Sequence, residues 1–229
     1  MGTDDIFKKR KGKRKIRKES HLERKPYRYL IVCEGGKTEP NYFEGIKRKI
    51  ELKYKDYINV ITRRLEIEIV GTGRNTEDLV KYAIKERSLS EIPYGHTWVI
   101  FDKDSFSEKQ FNNAIREAID NDINVGWSNE SIELWFLLHF EFLNTGISRQ
   151  QYIKKLSNYF TKFDINKGKY EKNMDNIFEV LMAKGDVQSA IKWSEKLIEL
   201  HKCENRLTES AMNPGTTVYK LVSELMEYF

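Results

Sequence analysis

The sequence predicts an α/β fold, a mostly parallel sheet flanked by helices and followed by a helical C-terminal half. Two observations carry that prediction. Four apolar runs of strand length, Tyr29–Cys33, Leu65–Val70, His96–Phe101 and Ile123–Trp127, are each followed by a polar or glycine-containing turn and then by residues at helical spacing. Strands alternating with helices through four cycles imply parallel pairing with both faces of the sheet covered. Beyond Arg149 the helical spacing continues without a strong strand signal.

In chain order, residues 1–26 read as a disordered basic tail, because Lys8–Lys18 contains nine basic residues in eleven. The first strand, Tyr29–Cys33, runs into Glu34 and Gly35-Gly36. A helix then spans Glu39 to about Lys53, with Thr38 as its N-cap and Pro40 in its first turn. Leu65–Val70 is the second strand, and Gly71-Thr72-Gly73 turns into a hydroxyl-capped helix from Thr76 to about Arg87. A tight strand-to-helix turn explains those glycines as well as phosphate binding does. The turn at Pro93-Tyr94-Gly95 precedes the third strand, His96–Phe101, which ends at Asp102-Lys103-Asp104. Ser107 caps a helix to about Asn121, Ile123–Trp127 is the fourth strand, and Ile132–Phe140 is an apolar helix. Helical segments follow at Arg149–Phe163, Lys172–Met182, Val187–Lys202 and Pro214–Phe229, broken by Gly168 and Gly185-Asp186. The chain contains no internal repeat and reads as a single domain over residues 27–229, an α/β core to about residue 145 and a helical part after it.

The net charge of +5 conceals an asymmetry. Residues 1–28 hold twelve Lys/Arg against four Asp/Glu, which leaves 28 basic against 31 acidic residues in the rest. The basic character belongs to the tail, and a tail of this kind is either a nucleic-acid-binding arm or a solubilising one. No apolar run approaches the ~18 residues that a membrane span requires. The basic start is not followed by an apolar signal segment, so the expected location is cytoplasmic. Cys33 and Cys203 form no CxxC pair and are expected to be free, buried thiols.

The candidate chemistry starts with Glu34, Asp102 and Asp104. A carboxylate placed after a buried strand is costly unless a cation compensates it. Three that converge suit a divalent ion with oxygen ligands, Mg²⁺ or Mn²⁺, able to activate water and stabilise a phosphoryl transition state. An Asp-x-Asp turn by itself also serves as an ordinary helix cap; Glu34 at an equivalent strand end tips the reading towards metal. Lys37 and Thr38 lie at a helix start, which attracts anions, although the earlier glycine of a P-loop is missing. In the stretch from Ser128 to Phe140, Asn129, Glu133 and His139 interrupt an apolar stripe. Glu133 there needs a partner or a metal, whereas His139 reads as a core histidine rather than a ligand. Near the C-terminus Asn213 caps, Pro214 takes the first helical position, and Thr216 and Thr217 offer hydroxyls at a helix start, a phosphate seat or a plain N-terminus.

Four stretches in this order, VCEGGKTEPNYF (32–43), FDKD (101–104), SNESIELWFLLHF (128–140) and NPGTTVYKLV (213–222), resemble the RloB-like family, whose members carry a TOPRIM-like domain. Gly36 and Glu130-Ser131 depart from the glutamate and the proline-cysteine pair common in that family. The resemblance implies that Glu34 is the general acid/base or a metal ligand, that Asp102 and Asp104 bind magnesium, and that Asn129 and Glu133 lie near the metal. It also implies linkage to restriction and phage-defence loci and a partner ATPase. The resulting expectation is a metal-dependent nuclease acting on DNA or RNA. Glu34, Asp102, Asp104 and Lys37 would be catalytic, Thr38, Asn129, Thr216 and Thr217 would contact substrate, and Glu133 would be a further metal ligand. The rivals are a non-catalytic nucleic-acid-binding or regulatory subunit and a primase-like nucleotidyl transferase.

Overall fold

The computed structural model describes residues 25–55, 65–104 and 106–229. The basic tail expected over residues 1–26 lies outside the described residues as far as residue 24. Five strands form one sheet in the order β2-β1-β3-β4-β5, where β1 is Lys25–Cys33, β2 Glu66–Gly71, β3 Tyr94–Asp102, β4 Asn124–Asn129 and β5 Gly215–Thr216. The first four pair in parallel and β5 joins the edge antiparallel to β4. The fold is thus the α/β class that alternating strand and helix signals predict.

Period-two alternation in β1 and β3 builds two separate cores. Leu30, Val32, Val99 and Phe101 face α2 (Thr76–Leu89) and α3 (Glu108–Asp120), packing on Leu79, Val80, Phe111 and Ile115. Tyr29, Ile31, Cys33, Trp98 and Ile100 face the other way, against Tyr42, Phe43, Ile46 and Ile50 of α1 (Thr38–Tyr54). The same side takes the short α4 (Glu133–Leu137) and the C-terminal helices α5 (Arg149–Lys162), α6 (Ile177–Lys184), α7 (Val187–Cys203) and α8 (Val218–Met226). The C-terminal half therefore completes one layer of the sheet. Polar pins fasten it as well, since Tyr29 Oη donates to Glu224 Oε1 at 2.8 Å and His96 Nδ1 lies 2.5 Å from the same oxygen.

Several element ends differ from expectation for identifiable reasons. The helix expected over 132–140 is only five residues long, and its end tightens into i→i+3 bonds from His139 to Phe136 and from Phe140 to Leu137. An all-apolar run carries no periodic mark of where its helix stops. Residues 172–176 are not helical; their carbonyls serve α1 instead, Lys172 O accepting from Thr38 Oγ1 at 2.6 Å and Asn173 O from Asn41 Nδ2 at 3.3 Å. Thr38 is thus not the side-chain cap of α1, and α2 is capped by Asn75, whose Oδ1 accepts from Asp78 N at 3.0 Å, rather than by a hydroxyl. Ser107 does cap α3, in a capping box with Gln110. The final helix starts at Val218 instead of Pro214, because Gly215 and Thr216 are paired with Asn129 and Ser128. Cys33 is buried as expected, while Cys203 is exposed; both are free.

Ile31 is fully buried between the sheet and α1, whereas Leu52 is 71% exposed. Ile31→Ala should cost roughly 2–5 kcal/mol in urea unfolding, and Leu52→Ala should stay within about 0.5 kcal/mol of wild type.

Candidate active site

The chain runs from β1 through α1 to β2 on one side, then crosses to β3 on the other, so the order in which strands are added reverses between the parallel neighbours β1 and β3. Side chains just past the carboxyl ends of such neighbours share a crevice. Parallel register sets Cys33 opposite Ile100, so Glu34 and Asp102 leave the sheet side by side. Glu34 N donates to Ile100 O at 2.9 Å, and Asp102 N donates to Glu34 Oε2 at 3.1 Å. The turn after β3 is tied to the end of β4 by Lys103 N to Ser128 O (2.8 Å) and Asp104 N to Glu130 O (3.0 Å). Asp104 has a φ of 37°, a left-handed conformation that aspartate tolerates better than most residues. Gly35 matters for another reason: a Cβ there would lie 2.0 Å from Glu39 Oε2, so any larger residue would require that buried carboxylate to shift.

Into this acidic crevice comes one guanidinium. Arg149 Nη2 lies 2.5 Å from Asp102 Oδ2, Nη1 2.7 Å from Asp104 Oδ2, and Nε 3.4 Å from Glu133 Oε2. Tyr170 Oη reaches Glu133 Oε1 at 3.4 Å. The long Arg149–Glu133 contact is an ion pair without a hydrogen bond, and Asp102 Oδ1 and Glu133 Oε2 are both buried without a hydrogen-bond partner. Burial pushes the Asp102 carboxyl well above the usual carboxylate range, Glu39 adds to the push, and Arg149 pulls the other way. Burial also raises Glu39, with Glu133 contributing. Glu34 is pushed from 4.5 up to about 7, chiefly by burial and against the hydrogen bond from Asp102 N. For Arg149, burial opposes the charge, but Asp102, Glu133 and Asp104 outweigh it and raise its pKa.

Of the residues expected at the site, Glu34, Asp102, Asp104 and Glu133 converge on Arg149 or on one another. Lys37 is exposed at the position before α1, and Thr38 is engaged with Lys172 O. Asn129 is buried and its Nδ2 donates to Ser210 O at 2.9 Å, away from the carboxylates. Thr216 Oγ1 pairs with Ser128 Oγ at 3.0 Å, and Thr217 Oγ1 accepts from Trp127 N and donates to Val125 O. Both threonines are buried and hold the sheet edge together rather than offering a phosphate seat. His139 is a core residue: Nδ1 bonds to Trp135 O at 3.0 Å and burial lowers its pKa to about 4. Sequence reasoning missed Glu39, Arg149 and Tyr170. Glu39 reads as an ordinary acidic residue in a first helical turn and Arg149 as a surface residue opening a helix. Only the Gly35-to-Glu39 spacing hints at the packed carboxylate.

The donor set is all hard oxygen, and its two unbonded buried oxygens fit Mg²⁺ or Mn²⁺ chemically. The present spacing is nevertheless set by a guanidinium, and among the described residues no group of three or more His, Cys, Asp or Glu stands ready to hold a metal ion.

Fold and site together define an α/β protein with a carboxylate cluster at its sheet reversal. The family model described as RloB-like protein matches residues 29–225, and the chain belongs to the RloB-like family. No curated protein and no solved structure matches the chain. Among the described residues, no helix is long and apolar enough to cross a membrane.

A carboxyl group whose folded pKa exceeds its unfolded one holds its proton more tightly when folded. Its contribution to stability is therefore complete below the unfolded value and is lost as pH rises through the folded one. For Glu34 that window runs from 4.5 to about 7. Urea unfolding of wild type and Glu34→Gln between pH 4 and 8 should show wild type losing stability relative to the variant across this window, with a flat difference above it. A difference independent of pH would mean that Glu34 titrates normally.

Proposed function

We propose that this protein is a metal-dependent nuclease hydrolysing phosphodiester bonds of DNA or RNA. The observation that carries the reading is the convergence of Glu34, Asp102, Asp104 and buried Glu133 at the adjacent carboxyl ends of β1 and β3 and on α4. Buried carboxylates at this density are expensive and serve no packing purpose that apolar residues would not serve better. Glu34, with its pKa raised to about 7, suits proton transfer to and from water or a leaving oxygen near neutral pH. Asp102, Asp104 and Glu133 are the residues that would hold Mg²⁺ or Mn²⁺, which when bound supplies positive charge to a phosphoryl group. Lys37, exposed beside the first turn of α1, would steady a substrate phosphate. The basic stretch before residue 28 would raise the local concentration of nucleic acid without reading sequence. The TOPRIM-like domain and the linkage to restriction and phage-defence loci that the family resemblance implies would suit this chemistry and a cytoplasmic effector role alongside a partner ATPase.

One observation favours a second reading. Arg149 neutralises much of the cluster, as a purely architectural ion-pair network would, and a non-catalytic nucleic-acid-binding subunit could carry such a network.

Incubation of the full chain with Mg²⁺ or Mn²⁺ and with single-stranded DNA, double-stranded DNA or total tRNA separates the two. Cleavage of one substrate is expected, with a loss of at least about 10³-fold in Asp102→Asn at unchanged circular dichroism. Full activity in Asp102→Asn would remove Asp102 from the site, and binding without any metal-dependent cleavage would favour the second reading.

A further inference from the structure

Arg149 touches three carboxylates contributed by three parts of the chain: Asp102 at the end of β3, Asp104 in the turn beyond it, and Glu133 on α4. A guanidinium presents a planar fork with donor-to-acceptor distances near 2.7–2.9 Å, whereas Mg²⁺ requires its oxygens at about 2.0–2.1 Å in an octahedral arrangement. One arrangement of these carboxylates cannot satisfy both geometries, and the two positive charges repel in so small a space. The fit to the guanidinium is also incomplete. Asp102 Oδ1 and Glu133 Oε2, on side chains 5% and 1% exposed, have no hydrogen-bond partner, and Arg149 Nε is likewise unbonded. Two buried acceptors on residues of the cluster thus retain unused lone pairs while the arginine is in place.

We infer that Arg149 is a built-in counter-ion that competes with a divalent cation for Asp102, Asp104 and Glu133, so that metal is accepted only as the arginine withdraws. The inference rests on the metal-dependent reading of this site. The fold permits such a withdrawal. Arg149 is the first residue of α5, whose start is held independently by Ser148 and Gln151 in a capping box. Its side chain is 26% exposed, and its Asp104 partner is 43% exposed, so the guanidinium can swing towards water with α5 intact. The remaining charges around it explain why the competitor is useful. Glu34 and Glu39 add to the negative field on Asp102, and Lys172 acts on Glu39, so without Arg149 the metal-free cluster would hold several carboxylates in close repulsion.

Calorimetric and electron-paramagnetic-resonance titration of Mn²⁺ into the full chain tests this, with wild type, Arg149→Lys, Arg149→Met and each combined with Asp102→Asn. Arg149→Met should bind Mn²⁺ at least about tenfold more tightly than wild type, a change equivalent to ~1.4 kcal/mol. Arg149→Lys, which keeps the charge but loses the fork, should fall between them and decides the matter if Arg149→Met does not fold. Asp102→Asn should abolish binding in every background. Equal or weaker Mn²⁺ binding in the Arg149 variants, with wild type binding normally, would overturn the competition while leaving the metal reading in place. Absence of Mn²⁺ binding in wild type and both variants would overturn the metal reading and the competition together.

Discussion

Carboxylates gathered at the carboxyl ends of parallel strands repel one another and resist burial, and the rest of the site is arranged around that constraint. Asp102 is almost wholly enclosed, with Glu39 and Glu133 nearby and equally hidden from water. A group of this kind persists only beside positive charge, and Arg149 provides it in the present arrangement. The constraint reaches into backbone geometry as well. Asp104 takes a left-handed conformation, and Gly35 surrenders its side-chain volume to Glu39. The raised pKa of Glu34 follows from the same partial enclosure, and it places this carboxylate near neutrality.

The two-sided sheet is what holds these groups in place. Leu30 and Val32 bind β1 to one helical layer while Tyr29, Ile31 and Cys33 bind it to the other, so neither face can slide without exposing a core. The C-terminal helices complete the second layer and supply partners to the carboxylate cluster, since α5 delivers Arg149 and the segment before α6 delivers Tyr170. β5 extends this principle at the sheet edge. Its two residues, together with Thr217, spend their hydrogen bonds on β4 and so stabilise the strand end from which the turn beyond β3 is hung.

Much of this was legible in order along the chain. Apolar runs of strand length, each ending in a polar turn, mark β1 to β4, and Ser107 with Gln110 marks the start of α3. Glu34, Asp102 and Asp104 could be picked out because they cluster at or just past the ends of buried strands, where a charged residue is unexpected without a purpose. The threonines near the C-terminus misled for a corresponding reason. Asn-Pro-Gly-Thr-Thr is a local signal for a helix start, and no local signal reports that Thr216 pairs with Ser128, 88 residues earlier. Arg149 was invisible in the same way, because 45 residues separate it from Asp104 and its own surroundings read as an ordinary capped helix.

By itself the sequence determined the alternation of strands and helices, the sites of the three strand-end carboxylates and the family resemblance. Those properties follow from residue type and short-range spacing, which dictate hydrophobic periodicity and turn chemistry. The tertiary structure alone decided which charges meet. Arg149, Glu39 and Glu133 join Asp102 because parallel register and helix packing bring distant segments to one crevice, and the energy of a buried charge depends on its neighbours in space.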